Sequence, residues 1–400
     1  MTILAVNAGS SSLKFALHPY AGGDVRRALV SGNIEGLEPK GKPVMRWRSA
    51  GETQCIELRA SDDPFLDALA SLRALLTDKL TFASPRAIAH RVVHGGRDYA
   101  GSVIVDDKVI ARLQALSSLA PLHQPHNIAG IRAFAAAFPD VPQVACFDTA
   151  FHAGAPVLHQ QFALPRELTD LGVRRYGFHG LSYQYIIGEL QARTPRAAGR
   201  VLMAHLGNGA SLCAALEGRG IASTMGFSAL DGLMMGTRSG SLDPGVLLWL
   251  LEQGWEHARI QDLLYKRSGL LGVSGISADM RTLRDAAAGG SVDAQQAIAL
   301  FTHRVVRESG AMLACLQGAD VIAFSGGIGE HNAMLRAEIG AALGWTGLAI
   351  DDARNAAATG DDARPIHADG SRIEAWVIPT DEGRVAAREA AALLGTPEDS

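Results

Sequence analysis

The sequence predicts an α/β fold, because segments typical of strands and helices alternate along all 400 residues. Short Gly- and Ser-rich stretches repeatedly follow the strand-like segments, which is where open α/β sheets bind their ligands. The chain opens with an apolar strand-like stretch, a loop of small and hydroxyl residues at 7–12, and alternating apolar residues from Leu13 to Leu17. The same order of apolar strand, Gly/Asn/Ser loop and apolar strand returns in RVLMAHLGNGASLCAAL at 200–216.

This repeat has two interpretations. A duplicated domain would carry one phosphate loop in each half, with a ligand in the cleft between the halves. The alternative is a chance similarity between two hairpins. In the first interpretation residues 7–11 correspond to residues 207–211.

The other elements follow from residue spacing and from turn signals. Helices are predicted at 64–80, 127–138 and 292–316, and an Ala-rich helix closes the chain. Buried strands are predicted at 86–96, 142–148, 320–324 and 375–378. Asp243 and Pro244 are typical of a helix start, because Asp caps the first turn and Pro fits it.

The composition excludes several classes of protein. A net charge of about −4 does not favour nucleic acid or an anionic membrane as a partner. No apolar run approaches the ~20 residues that span a bilayer, and the first residues do not form a signal peptide. The four cysteines contain no CxxC pair, and three stand in apolar contexts typical of buried, reduced thiols. We therefore expect a cytoplasmic protein.

The loop at 7–12 is either a plain hairpin turn or a phosphate cradle. Backbone N–H groups of small residues can converge on an anion, and hydroxyl groups add donors. The segment lacks the GxxxxGK[ST] pattern, so it is not a Walker A loop. Further Gly-rich stretches, GNGAS and SGGIGE, favour the phosphate interpretation.

Two arginines stand where a ligand could reach them. Arg91 lies among apolar residues of a predicted strand, and a buried guanidinium needs anionic partners. Arg238 lies between glycines in GTRSG. A structural ion pair explains one such arginine, but two arginines with no fixed anion suggest an anionic substrate or transition state.

Three further side chains are candidates for catalysis or metal binding. Asp148 ends an apolar strand, where it is either a metal ligand or catalytic acid, or the cap of the next element. His179 is placed in a glycine-rich stretch that leaves it open to a cleft. Glu382 falls in the first turn of a helix, where the dipole favours a carboxylate in any case. The remaining histidines match no zinc-ligand spacing.

Together these segments resemble the acetate kinase family of the acetate and sugar kinase/heat-shock chaperone/actin superfamily. The similar segments occur in order: NAGSSSLKF, HRVVHGG, APLH, FDTAFH, RRYGFHG, HLGNGAS, GLMMGTRSG, SGISADMR, SGGIGE and IPTDE. The resemblance implies ATP and ADP as co-substrates, Mg²⁺ or Mn²⁺, a short carboxylate such as acetate, and in-line transfer to give an acyl phosphate. It also implies a homodimer of chains with two duplicated ribonuclease-H-like domains around a nucleotide cleft. The domains would be 1–150, with the helix at 385–400 packed back on it, and 151–384, which would carry the nucleotide pocket.

The resemblance also implies roles for individual residues. The metal site would use Asn7, Asp148 and Glu382, with Asp148 the essential acidic residue. The transferring phosphoryl group would be held by Arg91, His179, Arg238 and His123. The methyl pocket would be lined by Val93, Leu122, Phe178 and Ala229. Phosphate and nucleotide would contact Ser10, Ser12, Lys14, His205, Leu206, Gly207, Asn208, Gly209, Asp279, Met280, Arg281, Gly327, Ile328, Gly329, Glu330 and His331.

The chain departs from the family pattern at several of these segments. His331 and Asp381 stand where the family usually has Asn, and Leu181 and Tyr183 where it usually has Thr and His. Ala229 replaces a usual Pro of the methyl pocket, and the smaller side chain could admit propionate or butyrate. A second class of function is a non-catalytic ATP-binding switch, which would need neither an acyl acceptor nor two arginines.

Overall fold

The structure is a computed structural model that describes residues 1–9, 11–38, 41–59, 63–79, 84–121 and 123–395. Ser10 and Leu122, both candidate site residues, lie outside the described residues, as does the last residue of the helix predicted at 64–80.

The strands form two sets, one in the first part of the chain and one in the second. The strands are β1 Thr2–Ala8, β2 Ser12–Ala21, β3 Asp24–Val25, β4 Val30–Glu35, β5 Val44–Ser49, β6 Glu52–Glu57, β7 Ala87–Val92, β8 Val103–Ile104, β9 Gln143–Phe147, β10 Arg200–Leu206, β11 Ala210–Leu216, β12 Arg219–Ser223, β13 Val321–Ser325, β14 Arg364–Pro365 and β15 Glu374–Val377.

Helices form much of the sequence that connects these strands. The α-helices are α1 Pro64–Ala74, α2 Asp107–Ala115, α3 Gln124–Ala137, α4 Val157–Gln160, α5 Arg166–Asp170, α6 Gly180–Gln191, α7 Pro244–Glu252, α8 His257–Lys266, α9 Gly269–Ser274, α10 Met280–Ala288, α11 Val292–Leu316, α12 Gly326–His331, α13 Ala333–Ala342, α14 Asp352–Ala357 and α15 Glu382–Leu394.

The chain divides into two compact units. The first contains Met1–Ala150 and Asp381–Ser400, and the second contains Phe151–Thr380. The closing helix α15 belongs to the first unit, where it packs on β1 and β7. The domain boundaries inferred from the resemblance stay a prediction.

The sheet of the first unit has the strand order β6-β5-β4-β2-β1-β7-β9-β8, with β3 paired to β2. Strand β1 is antiparallel to β2 but parallel to β7, which in turn is parallel to β9. Leu69 and Leu72 of α1 pack against Leu4 and Phe15 of the sheet, with Phe134 of α3 in the same cluster. The carboxyl ends of β1, β7 and β9 therefore lie at one edge of this sheet.

The sheet of the second unit has the order β12-β11-β10-β13-β15-β14. Strand β10 is antiparallel to β11 and parallel to β13, which is parallel to β15. The long helix α11 packs on β10 and β11. The central strands of the two sheets thus follow one another in the same order and directions, and the predicted duplicated α/β fold is confirmed.

The register of the repeat differs from the sequence alignment. Ala8 and Leu206 are the last paired residues of β1 and β10, opposite Leu13 and Ala210. In position along the hairpin Asn7 therefore matches His205, whereas the sequence comparison matched it with Gly207.

Some of the predicted elements agree with the structure, and others differ from it. Helix α11 has the predicted bounds, and Asp243 caps α7 by accepting a hydrogen bond from the Gly245 N–H group. The helix expected at 64–80 is α-helical only to Ala74 and continues as a π-helical turn. The Gly-rich stretch after β13 was expected to be a loop, but it forms the short helix α12.

The cysteines are also less uniform than expected. All four are free, but Cys55 and Cys315 are exposed, whereas Cys146 and Cys213 are buried. The prediction of three buried thiols is therefore wrong. Cys315 lies near the end of α11. The large apolar residues near it in sequence belong to the buried side of that helix, whereas Cys315 does not. Among the described residues, no helix combines the length and hydropathy needed to cross a bilayer.

Candidate active site

Arg91 and two carboxylates form a cluster at the edge of the first sheet. Arg91 lies on β7, and Asp148 directly follows the neighbouring parallel strand β9, where its N–H group donates to the Val92 carbonyl. The Arg91 Nε–H group donates to Asp148 Oδ1 at 3.0 Å, and Nη2 donates to Oδ2. Glu382, the first residue of α15, places Oε2 3.6 Å from Arg91 Nε.

This cluster corrects one expectation. Arg91 is not an arginine without a fixed anion, because Asp148 and Glu382 both face it. Both carboxylate oxygens of Asp148 accept from Arg91, and its role as a metal ligand, catalytic acid or cap stays a prediction. Burial alone would lower the pKa of Arg91, but the two carboxylates outweigh burial and raise it. The Asp148 side chain is only 1% exposed, against 21% for Arg91 and 25% for Glu382.

The other candidates of the first unit lie near the ends of its strands. Asn7 is half-buried near the end of β1 and pairs in register with the exposed Lys14 of β2. The Gly9 N–H group donates to the Ser12 carbonyl at 2.8 Å and closes the loop between these strands. These positions agree with a strand–loop–strand hairpin, and they leave its role in phosphate binding a prediction.

Asn127 is a residue of this region that the sequence did not single out. Its Oδ1 accepts a hydrogen bond from the backbone N–H of Val93, just beyond β7, and its Nδ2 donates to the carbonyl of Ala8, at the end of β1. It thereby ties two strand ends together. Val93 is buried, and His123 is the half-buried residue that precedes α3, on which Asn127 lies.

In the second unit His179 and Arg238 converge on Gly209. A Cβ atom at position 209 would lie 3.3 Å from Arg238 Nη2 and 3.4 Å from His179 Nε2. His179 precedes helix α6 with φ +56°, a left-handed conformation that a non-glycine residue rarely adopts. Backbone strain of this kind concentrates at functional sites. A guanidinium and an imidazole nitrogen therefore face the same stretch of Gly-rich backbone.

His205 adds a second imidazole to this cluster. Its ring lies 4.3 Å from the ring of His179, centroid to centroid, and its Nδ1 is 2.8 Å from Ser182 Oγ. A Cβ atom at Gly207 would lie 4.0 Å from His205 Nε2. The Nε2 atoms of both histidines thus face the loop between β10 and β11.

Backbone groups hold Arg238 and its loop in place. Arg238 Nη1 donates to the carbonyl of Ala229 at 2.7 Å. The Gly236 N–H group donates to the carbonyl of Asn208 at 3.0 Å, and a Cβ atom at position 236 would overlap the Asn208 side chain. A side chain at 236 would therefore displace the Asn208 side chain from its present position. Phe178 is buried, and its carbonyl lies 2.9 Å from His152 Nε2.

The residues at 327–331, which are predicted to bind the nucleotide, form most of α12. Among them, Glu330 binds backbone groups of the protein itself. Glu330 Oε1 accepts from the N–H groups of Gly326 and Thr380, at 2.8 and 3.1 Å. Burial raises the pKa of Glu330, although these hydrogen bonds act in the opposite direction. The carboxylate thus fixes the turn before α12. His331, the last residue of α12, is exposed.

Arg336 supports the other end of α12, and the sequence did not reveal it. It is fully buried, and its Nη1 donates to the carbonyls of Gly329 and Glu330, at 2.8 and 2.7 Å. Its Nε and Nη2 donate to Oδ1 and to the carbonyl of Asn355. Burial lowers the pKa of Arg336 to about 10. A cation at a helix C-terminus also complements the helix dipole.

The predicted residues 279–281 begin helix α10. Asp279 Oδ1 accepts from the N–H groups of Arg281 and Thr282, at 2.9 and 3.0 Å. The Thr282 N–H bond is the main reason that the pKa of Asp279 is lowered. Arg281 is highly exposed, whereas the Met280 side chain is buried.

The two units have the same strand order, and each carries a polar cluster. Together they define a two-domain α/β protein with a ribonuclease-H-like core. A family model described as the acetokinase family matches residues 2–388. The chain belongs to this family.

Named relatives agree with this assignment. An acetate kinase of Rhodopseudomonas palustris is 50% identical over 394 residues, which cover 96% of each chain. One of Rhizobium meliloti is 43% identical and covers 99% of each chain.

Solved structures show the same similarity. An acetate kinase of Porphyromonas gingivalis has a TM-score of 0.88 and 35% identity, covering 98% of this chain and 100% of its own. A propionate kinase of Francisella tularensis also has a TM-score of 0.88 and 35% identity, covering 97% and 98%.

The contacts of Arg336 predict a stabilising role. We expect Arg336→Lys to lower the free energy of unfolding by about 2–4 kcal/mol, because one ammonium cannot replace a guanidinium that donates to several buried carbonyls. Urea unfolding measures the change. The control is Arg354→Lys, since Arg354 is 42% exposed and pairs with Asp369. Equal stability of the two variants would contradict the role of Arg336.

Proposed function

We propose that the protein transfers the γ-phosphoryl group of ATP to acetate, giving acetyl phosphate and ADP, and catalyses the reverse reaction. The observation that carries the proposal is the convergence of Arg238 and His179 at Gly209 in a chain of the acetokinase family. The acetate oxygen forms the new bond to phosphorus as the bond to the leaving oxygen of ADP breaks. The enzyme class is a phosphotransferase with a carboxyl group as acceptor.

The chemistry suits a site rich in cations. Acetate is already ionised at neutral pH, so the reaction needs no strong general base. Phosphoryl transfer spreads negative charge over three equatorial oxygens, and its catalysis consists mainly of positioning and electrostatic stabilisation. We assign this stabilisation to Arg91, His179 and Arg238, and assign His123 and His205 to the same phosphoryl and phosphate groups.

The carboxylates of the first unit fit Mg²⁺. In the described part of the chain no three His, Cys, Asp or Glu side chains surround a common point. Asp148 and Glu382 nevertheless offer two hard oxygen donors, and Mg²⁺ commonly uses one or two protein carboxylates and retains several waters. Asn7 would add an amide oxygen. When bound, the ion would neutralise charge on the nucleotide phosphates.

We further propose ATP and ADP as the nucleotides. The loop at 207–209 with Ser12 and Lys14 would hold phosphates. The adenosine would contact residues 279–281 and helix α12. The N–H groups of α12 support this assignment, because the Gly327 N–H group lies beside the Gly207 loop. The cytoplasm is the proposed location, which the four free cysteines support and which cell fractionation tests.

Propionate is the alternative acceptor, because Ala229 leaves more room than the Pro that the family usually carries there. One methylene group in an apolar pocket changes selectivity by roughly 10–200-fold. The similar Francisella tularensis protein, moreover, is named a propionate kinase. Val93 and Phe178 are the proposed apolar partners of the methyl group.

An acyl phosphate assay tests the function. Purified protein with MgATP and acetate, propionate or butyrate should yield acyl phosphate, trapped by hydroxylamine, with acetate the best acceptor. Ala229→Pro should reduce the rate with propionate relative to acetate. More product from propionate than from acetate would change the substrate but keep the mechanism. ATP binding without product from any acid would favour the non-catalytic switch.

Removal of the two arginines should have separable effects. We expect Arg238→Ala to lower kcat by about 1,000-fold or more, with little change in Tm and in KM for ATP. Arg91→Ala should also lower Tm, because it removes the guanidinium that faces the buried Asp148 carboxylate. Steady-state kinetics and thermal unfolding measure both, with Arg307→Ala, an exposed arginine paired with Glu308, as the control. Near-full turnover of a folded Arg238→Ala variant would refute its role.

The proposed homodimer would cover helix α7. This helix exposes Leu248, Trp249 and Leu251 by 62%, 56% and 52%, and Leu242 and Val246 beside them by 43% and 39%. Several large apolar side chains exposed on one short segment are typical of an interface. Light scattering should give the mass of two chains for the wild type and of one chain for Leu248→Glu/Trp249→Glu. Leu158→Glu, at an exposed leucine of α4, should remain dimeric. A wild-type mass of one chain would contradict the dimer.

A further inference from the structure

A buried hydrogen-bonded chain leads to His179 from the interior of the second unit. The Tyr183 hydroxyl contacts Ser211 Oγ, which lies 2.9 Å from His179 Nδ1. Tyr183 and Ser211 are both fully buried. Tyr183 stands one helical turn after His179 on α6, and Ser211 lies on β11. The chain therefore links a helix and a strand through the ring nitrogen that faces away from Gly209.

Aromatic packing fixes the Tyr183 ring. The ring makes an edge contact with His152 at 5.7 Å between centroids and lies 6.3 Å from the ring of Phe151. The Tyr183 N–H group donates to the His179 carbonyl at 3.0 Å, in the first turn of α6. The hydroxyl group is therefore held at one position against Ser211.

The direction of the hydrogen bonds follows from the available protons. Burial raises the pKa of Tyr183 well above its usual value, so the hydroxyl keeps its proton. The backbone of His205, which is paired with Ser211, also hydrogen-bonds to the Tyr183 oxygen and lowers that pKa, as a donated N–H does. The phenol proton is then directed to Ser211 Oγ. Ser211 is buried, and if its oxygen accepted from both Tyr183 and His179 its own proton would lack an acceptor, so that proton is donated to His179 Nδ1.

We propose that Tyr183 is a positioning residue that, through Ser211, holds His179 in the tautomer with its proton on Nε2. Nε2 is the atom that faces Gly209 beside Arg238. What the Nε2–H group binds rests on the proposed function, in which it donates to the transferring phosphoryl group. The tautomer itself does not depend on that function.

The alternative tautomer would oppose catalysis. With the proton on Nδ1, His179 would donate to Ser211 and present a lone pair from Nε2 to the anionic phosphoryl group. In Tyr183→Phe no phenol proton is directed at Ser211 Oγ, so the Ser211 hydroxyl can rotate its own proton away from His179 and accept from Nδ1–H, and both tautomers become accessible. We expect kcat to fall about tenfold, with KM for ATP unchanged, because the lost interaction acts mainly in the transition state.

Nitrogen-15 NMR of the histidine-labelled full-length chain tests the tautomer directly. The His179 signals are assigned by their loss in His179→Gln. The wild type should show a protonated Nε2 and an unprotonated Nδ1, and Tyr183→Phe should show a mixture. Tyr185→Phe, which removes a phenol hydroxyl from the same helix, is the matched control and should leave the tautomer and kcat unchanged.

A double-mutant cycle separates the relay from general packing. Ser211→Ala should shift the His179 tautomer by itself, and Tyr183→Phe should add no further shift in that background. Additive effects, a wild-type proton on Nδ1 or an unchanged Tyr183→Phe spectrum would overturn the inference. A wild type with this tautomer that makes no acyl phosphate would instead refute the proposed function. If Tyr183→Phe does not fold, the wild-type and Ser211→Ala spectra still decide.

Discussion

The ion pair between Arg91 and Asp148 is the constraint on which the polar edge of the first unit depends. A guanidinium in a buried strand is stable only beside an anion, and an almost inaccessible carboxylate only beside a cation. Parallel pairing of β7 with β9 brings the two side chains together although they are 57 residues apart in sequence. With Glu382, two carboxylates face one guanidinium, so the cluster carries one net negative charge. That charge favours a divalent cation.

The second unit uses the same strand order for a different chemistry. In place of paired carboxylates, the second unit places His179, His205 and Arg238 around the glycine-rich loop between β10 and β11. Such a set of donors and positive charge favours an anion. The two units are therefore equivalent scaffolds, and in the proposed reaction the cluster of the first unit would bind the metal and that of the second would bind phosphate.

The sequence predicted local secondary structure better than it predicted which groups each side chain contacts. Helix α11 could be predicted in full because its N-terminal cap, Ser291, and the spacing of its apolar residues are local features of the sequence. The partner of Arg91 could not be predicted, because it depends on which strands become neighbours. Arg336 and Asn127 were missed for the same reason: each binds backbone carbonyls or N–H groups that only the folded chain brings near. The role of α12 was missed because glycines were taken as evidence of a loop.

The departures from the family pattern differ in physical consequence. Asp381 caps α15 by accepting from the Arg384 N–H group, a task that Asn performs equally well. Exposed His331 at the end of α12 carries little packing cost. Tyr183 differs from both, because a buried hydroxyl must be satisfied and its partner, Ser211, contacts a candidate catalytic histidine. Tyr at position 183 keeps a hydrogen-bond donor but places it farther from the backbone than His does. In our proposal this donor acts on the Ser211 hydroxyl, through which α6 sets the tautomer of His179.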